Sequence, residues 1–173
     1  MPSFVELSEK IKVIVSEVDG VLTEGLVPID NLNNTLFKFY FSRDFEAVNL
    51  LKKHYNFVFL SSDNNVTYNI MRSKNIPFYW AQKSKTDSLV QIMRRYGVGP
   101  EEILYVGCNF SDIECVKMVP FSFCPNDAVD SILRLIQDRK AIYDGVLNIY
   151  GGFGVISELY ERLLPVTRKL LDK

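Results

Sequence analysis

A chain of 173 residues, 47% hydrophobic and 24% charged, fits one domain that buries its own core and excludes a disordered or fibrous class. Twenty basic residues against twenty-one acidic ones leave a net charge of -1, which offers no field to gather nucleic acid or an anionic membrane. The expectation is a cytoplasmic protein: no apolar run spans a bilayer, and the polar stretch from Met1 to Lys10 lacks a signal-peptide core. Cys108, Cys115 and Cys124 form no C-x-x-C pair, so neither a disulfide framework nor a zinc site is expected.

Apolar runs and helical patterns alternate along the chain. Ile11 to Val18 is a short β-branched run, as a buried strand requires. Residues 26–41 break the rhythm: Leu26 to Ile29 and Thr35 to Phe41 flank the polar turn Asp30 to Asn34 and read as an inserted β-hairpin. Its second arm is too apolar to leave in water, which marks a subunit contact or a site cover. Phe45, Val48, Leu51 and Tyr55 then follow helical spacing behind Asp44, the candidate N-cap. Phe57 to Leu60 reads as a strand, Val66 to Met71 as helix and Phe78 to Ala81 as a third strand. Ser84 caps a helix that stops at Gly97. Ile103 to Val106 is a strand, Ile113 to Met118 a helix, and Phe121 to Phe123 a fifth strand. Val129 to Ile136 and Val155 to Leu164 are the last helices, with Pro165 interrupting the final one. The whole predicts a single α/β domain over 1–173, a three-layer parallel sheet with helices on both faces and a C-terminal tail from about 145.

Ligands of such sheets bind at the carboxyl ends of the strands. Strand one ends in Glu17 and Asp19, strand two in Ser61 and Ser62, Lys85 follows strand three, and Asp112 follows strand four. Each residue type has a job in phosphoryl transfer. A carboxylate at 17 attacks phosphorus and, with those at 19 and 112, holds Mg²⁺, a hard cation that prefers oxygen. Asp19 also serves as acid and base. Ser61 and Lys85 hold the phosphoryl oxygens and their charge.

These residues, with Val18-Asp19-Gly20-Val21-Leu22, Arg43-Asp44, Tyr105-Val106-Gly107 and the tail Gly151-Gly152-Phe153-Gly154, resemble the haloacid-dehalogenase (HAD) superfamily. More closely, they resemble its capless 3-deoxy-manno-octulosonate 8-phosphate phosphatases of bacterial surface-sugar synthesis, over about Lys10 to Leu164. The resemblance implies a Rossmann-like HAD fold, Mg²⁺, substrate contacts at Arg43 and Ser62, and a homotetramer assembled through the 26–41 hairpin. It also implies that each tail approaches a neighbour's active site.

The chain departs from that pattern where the chemistry sits. Glu17 aligns with the nucleophilic aspartate, and one extra methylene shifts the attacking oxygen by roughly an ångström, enough to cost about 100-fold in rate. The family's Gly-Asp-Asp-x-x-Asp reads Gly107-Cys108-Asn109-Phe110-Ser111-Asp112, so a thiol replaces the aspartate that binds the metal directly. Thr-Gly-Arg becomes Ser61-Ser62-Asp63, and both tail arginines are replaced, by Phe153 and Ser157. Phe45 stands where a glycine lines the pocket. Turn glycines and apolar strands are kept, which points to a retained fold with reduced or lost turnover. Degenerate domains of this kind serve as oligomerisation units of sialic-acid-activating enzymes, so a sugar-activating partner is the expected associate. The competing expectation is a working phosphatase that uses Glu17 as nucleophile.

Overall fold

A computed structural model describes residues 9–62, 65–140 and 142–171, with side chains up to Leu164 apart from that of Asn65. Five strands form one fully parallel sheet: β1 (Val13–Ser16), β2 (Asn56–Ser61), β3 (Phe78–Trp80), β4 (Ile103–Val106) and β5 (Phe121–Phe123), in the order β3-β2-β1-β4-β5. The chain builds outward from β1 to one edge, then returns to lay β4 and β5 on the other side. Val13 pairs with Asn56 of β2 and with Ile103 of β4, so the sheet's direction of growth reverses between β1 and β4. That reversal opens a crevice at the strands' carboxyl ends.

β1 and β4 are buried along their whole length because both faces are covered, which explains their unbroken Val, Ile and Leu runs. The covering helices are α1 (Ser42–Leu51), α2 (Asn65–Ser73), α3 (Lys85–Tyr96), α4 (Ile113–Met118), α5 (Asp130–Gln137) and α6 (Val155–Leu171). Ser84 caps α3 by accepting from the Asp87 amide at 3.3 Å, and Gly97 ends it in the left-handed region at φ 64°. Both ends match the sequence reading.

Three expectations need correction. The 26–41 segment turns back on itself, but only one antiparallel bridge, Ile29 to Thr35, joins its arms. Its turn is held instead by the Asp30 carboxylate, which accepts from the amides of Leu32 and Asn34 at 2.8 Å. Asp44 is not an N-cap: α1 starts at Ser42, and the Asp44 carboxylate is buried in its first turn against Ser157 at the start of α6. Finally, α6 runs on through Pro165 to Leu171. A proline forfeits one helical hydrogen bond. The buried stripe of Val155, Ile156, Leu159 and Leu163 holds the preceding turns against the core and α1.

Candidate active site

The loop after β1 is shaped before any side chain is considered. Leu22 and Thr23 donate their amides to the Val18 carbonyl, and Gly20 takes φ 85° so that the chain doubles back beside β4. A methyl group on Gly20 would sit 2.5 Å from Cys108 Sγ. The tail closes the loop's other side, with Gly152 donating to the Val21 carbonyl at 2.9 Å and Gly151 lying against the Gly20 backbone. The Gly151–Gly154 turn therefore packs on this chain's own β1 loop.

Three of the predicted residues, Glu17, Lys85 and Asp112, meet in the crevice. Glu17 and Lys85 are buried and ion-paired through Glu17 Oε2, and Lys85 Nζ also donates to Asp112 Oδ1 at 2.7 Å. Tyr105 donates its phenol to the same Asp112 oxygen at 2.7 Å, and the amides of Cys108 and Asn109 reach Oδ2 at 3.0 and 2.9 Å. Burial, with the Asp112 charge beside it, pushes the Tyr105 phenol well up. Glu17 Oε1 accepts from the Val18 amide at 2.8 Å. Ser61 is buried at the end of β2. Ser62 and Lys85 border a cavity of ≈ 300 Å³ with Ser84, Thr86, Phe110 and Ser111.

Asp19 is held differently. Lys38, from the hairpin's second arm, reaches inward and donates to both Asp19 oxygens at 2.9 and 2.8 Å and to Thr67 Oγ1 at 3.2 Å. Its side chain is fully buried. Thr23 adds a hydroxyl to Asp19 Oδ1 at 2.9 Å. Sequence reading missed Lys38, although a lone lysine between Phe37 and Phe39 in an apolar arm was the signal available. Arg43 is not brought to the Ser62 cavity. Its guanidinium lies over the Phe41 ring, 4.5 Å from the centroid, and borders a separate ≈ 470 Å³ cavity between α1 and α6 with Glu46, Glu158 and Glu161. Asp63, the expected charge reversal, lies outside the described residues.

The residues around the crevice do not fit Mg²⁺. Glu17 and Asp112 spend oxygens on the Lys85 ammonium, and Asp19 spends both on Lys38. No group of three or more His, Cys, Asp or Glu among the described residues is arranged to hold a metal. Burial pushes the Cys108 thiol far up, so it stays protonated, and it donates to the Asp19 carbonyl at 3.3 Å. Asn109 Nδ2 donates to that carbonyl at 2.9 Å. Two side chains at the family's metal-binding turn therefore hydrogen-bond the β1 loop directly.

Comparisons with known proteins agree with this fold. No family model matches the chain. The 3-deoxy-D-manno-octulosonate 8-phosphate phosphatase of Haemophilus influenzae is 26% identical over 174 residues, spanning 93% of this chain and 87% of the relative. The cobalt-bound structure of the Haemophilus influenzae deoxy-D-mannose-octulosonate 8-phosphate phosphatase superposes with a TM-score of 0.80 at 26% identity, over 94% of this chain and 92% of that one. The Moraxella catarrhalis phosphatase, in complex with magnesium, phosphate and KDO, gives 0.79 at 18% identity, over 94% and 90%, a likeness of fold. A parallel sheet with its acidic crevice at the β1–β4 reversal, and relatives of one kind along nearly the whole length, make this chain a HAD-like domain similar to the capless 3-deoxy-D-manno-octulosonate 8-phosphate phosphatases.

Proposed function

We propose that this chain is a phosphatase-fold scaffold or oligomerisation subunit of acidic-sugar biosynthesis (KDO or sialic acid type), with impaired phosphomonoester turnover. The observation that carries the reading is the pairing of all three candidate carboxylates with lysines of the chain itself: Glu17 and Asp112 with Lys85, and Asp19 with Lys38. A nucleophile engaged by a buried ammonium and its own neighbouring amide has little freedom to attack phosphorus, and an acid–base group tied to a fully buried lysine is poorly placed to exchange protons. The cytoplasm is the setting this reading requires, and no helix among the described residues is long and apolar enough to cross a membrane.

Assembly is the positive half of the proposal. Leu26, Ile29, Leu32, Leu36 and Phe39 of the hairpin are all more than half exposed, which supports a homotetramer built on this segment and a sugar-activating enzyme as further partner.

The test is a sugar-phosphate hydrolysis screen in Mg²⁺ on the recombinant chain beside the double reversion Glu17→Asp with Cys108→Asp. The expected result is background release of phosphate by the parent and a gain in the reverted chain. Turnover by the parent at ordinary enzyme rates, abolished by Glu17→Ala, would establish the rival reading, an active phosphatase with an atypical glutamate nucleophile.

A further inference from the structure

Between Glu24 and Arg43 a single residue is buried, and it is a lysine, Lys38. The residues around it face the other way: Leu36, Phe37 and Phe39 are 56%, 48% and 76% exposed, and the two phenylalanine rings meet edge to face at 5.3 Å. The hairpin therefore enters the fold through one ammonium group and turns its apolar side chains outward.

The hairpin's own bonds do not dock it. The Ile29–Thr35 bridge and the Leu36 amide on the Pro28 carbonyl at 2.9 Å join one arm to the other, and the Asp30 carboxylate closes the turn within the segment. Lys38 supplies the side-chain hydrogen bonds that tie residues 26–39 to the rest of the described chain, to both Asp19 oxygens and to Thr67 Oγ1. These acceptors are fixed in place: Thr67 is fully buried on α2, and Asp19 is held by the Thr23 hydroxyl at the end of the β1 loop.

The choice of lysine makes this anchor conditional. A leucine or methionine at position 38 would hold the arm by burial alone, whatever lay opposite. An ammonium stays out of water only against a compensating charge, and its flexible stem lets it return to water when that charge is lost. Asp19 is the carboxylate that supplies the charge. The crevice and the outward apolar face are thus joined through one ion pair.

We infer that Lys38 is an electrostatic latch: the Asp19 charge docks the hairpin, and loss of that charge releases it together with the face formed by Leu36, Phe37 and Phe39. The inference deepens the scaffold reading and rests on it only for the statement that this face meets other copies of the chain.

The test is brief trypsin digestion of the full chain, read by mass spectrometry at two bonds, after Lys38 and after the exposed Lys83. In the parent, cleavage after Lys38 should be at least about tenfold slower than after Lys83, because it waits for the hairpin to open. Asp19→Asn keeps the shape of the acceptor without its charge and should speed cleavage after Lys38 by at least about tenfold, as expected for a lost charge-assisted bond. Thr67→Val removes one neutral acceptor and should speed it by a smaller factor. Neither substitution should change cleavage after Lys83. Three results would overturn the latch: free cleavage after Lys38 in the parent, no acceleration in either variant, or equal acceleration at Lys83 in a variant that circular dichroism shows to be folded. If Asp19→Asn does not fold, Thr67→Val carries the comparison. Light scattering on the same samples tests the assembly reading separately. A parent of single-chain mass with Lys38 protected would sink that reading and leave the latch standing, and an assembled parent cut freely after Lys38 would do the reverse.

Discussion

Replacing Lys85 with methionine tests the arrangement on which the proposed function depends. The Lys85 and Glu17 side chains are each 3% exposed and that of Asp112 is fully buried, so loss of the ammonium strands two carboxylates out of water. They are not equally exposed to that loss. Asp112 keeps the Tyr105 hydroxyl and the amides of Cys108 and Asn109, whereas Glu17 keeps only the Val18 amide among its described side-chain partners. Breaking one side of a buried ion pair costs about 3–5 kcal/mol. For a chain of this size each kcal/mol moves the melting point by about 2–4 °C, so K85M should melt on the order of 10 °C lower. The penalty should fall mainly on Glu17. Adding Glu17→Gln to Lys85→Met removes the stranded charge and should recover at least about half of the loss, a coupling within the usual range of about 0.5–3 kcal/mol. Urea unfolding of the four corners of this cycle gives the numbers directly. The reasoning fails if K85M lies within about 1 kcal/mol of the parent. It fails equally if the double variant is no more stable than K85M.

Four further outcomes are expected. Millimolar Mg²⁺ or EDTA should leave the parent's melting point unmoved, whereas a cation present at 100 times its Kd would stabilise by about 2.7 kcal/mol; differential scanning fluorimetry reads this. Burial raises the pKa of Asp44, opposed by its bonds to Ser157 and by the charge of Arg43, so the folded protein binds this proton more tightly than the unfolded chain. Stability from Asp44 is therefore fully present below the ordinary carboxylate range and declines as pH rises through the raised value, and Asp44→Asn should remove that slope from urea midpoints taken at successive pH values. Gly151→Ala would bring a Cβ to 2.2 Å from the Gly20 carbonyl oxygen and should cost more than about 3 kcal/mol in urea unfolding, while Gly97→Ala, with open space but φ 64°, should cost about 1 kcal/mol. Phe39→Asp should lower the assembled mass seen by light scattering without lowering the melting point of the subunit, because Phe39 is 76% exposed.

The sheet was legible because its signals are local. The predicted bounds of β4, α4 and β5 match the structure, since fully buried strands are short apolar runs and the punctuating turns sit beside them. Ser84 and Gly97 announce α3 for the same reason: a cap is chemistry within one turn. The misreadings share the opposite cause. Asp44 looks like a cap until its partner is known, and that partner is Ser157, 113 residues away. Lys38 was passed over within an arm read, for its apolar neighbours, as a subunit contact or a site cover, whereas its ammonium turns inward to an aspartate 19 residues earlier. Residue types and order revealed the carboxylates of the site. They did not reveal which cations of the chain those carboxylates face, because facing is a property of the closed fold.

Buried carboxylates at the end of a central strand need compensation whether or not chemistry follows, because their charges leave water when the sheet is covered. Lys85 and Lys38 supply it from within the chain, along with Tyr105, Thr23 and the amides of the β4 turn. Cys108 and Asn109 then close the contact between the β1 and β4 loops through the Asp19 carbonyl. Neutral side chains at 108 and 109 also keep down the negative charge that those lysines must balance. The neutral side chains at 108 and 109 and the ion pairs are therefore one arrangement: few acids at the turn after β4, and those present neutralised by ammonium groups. An aspartate restored at 108 alone would add an unpaired charge to this crevice, which is why the reversion that tests the function alters positions 17 and 108 together.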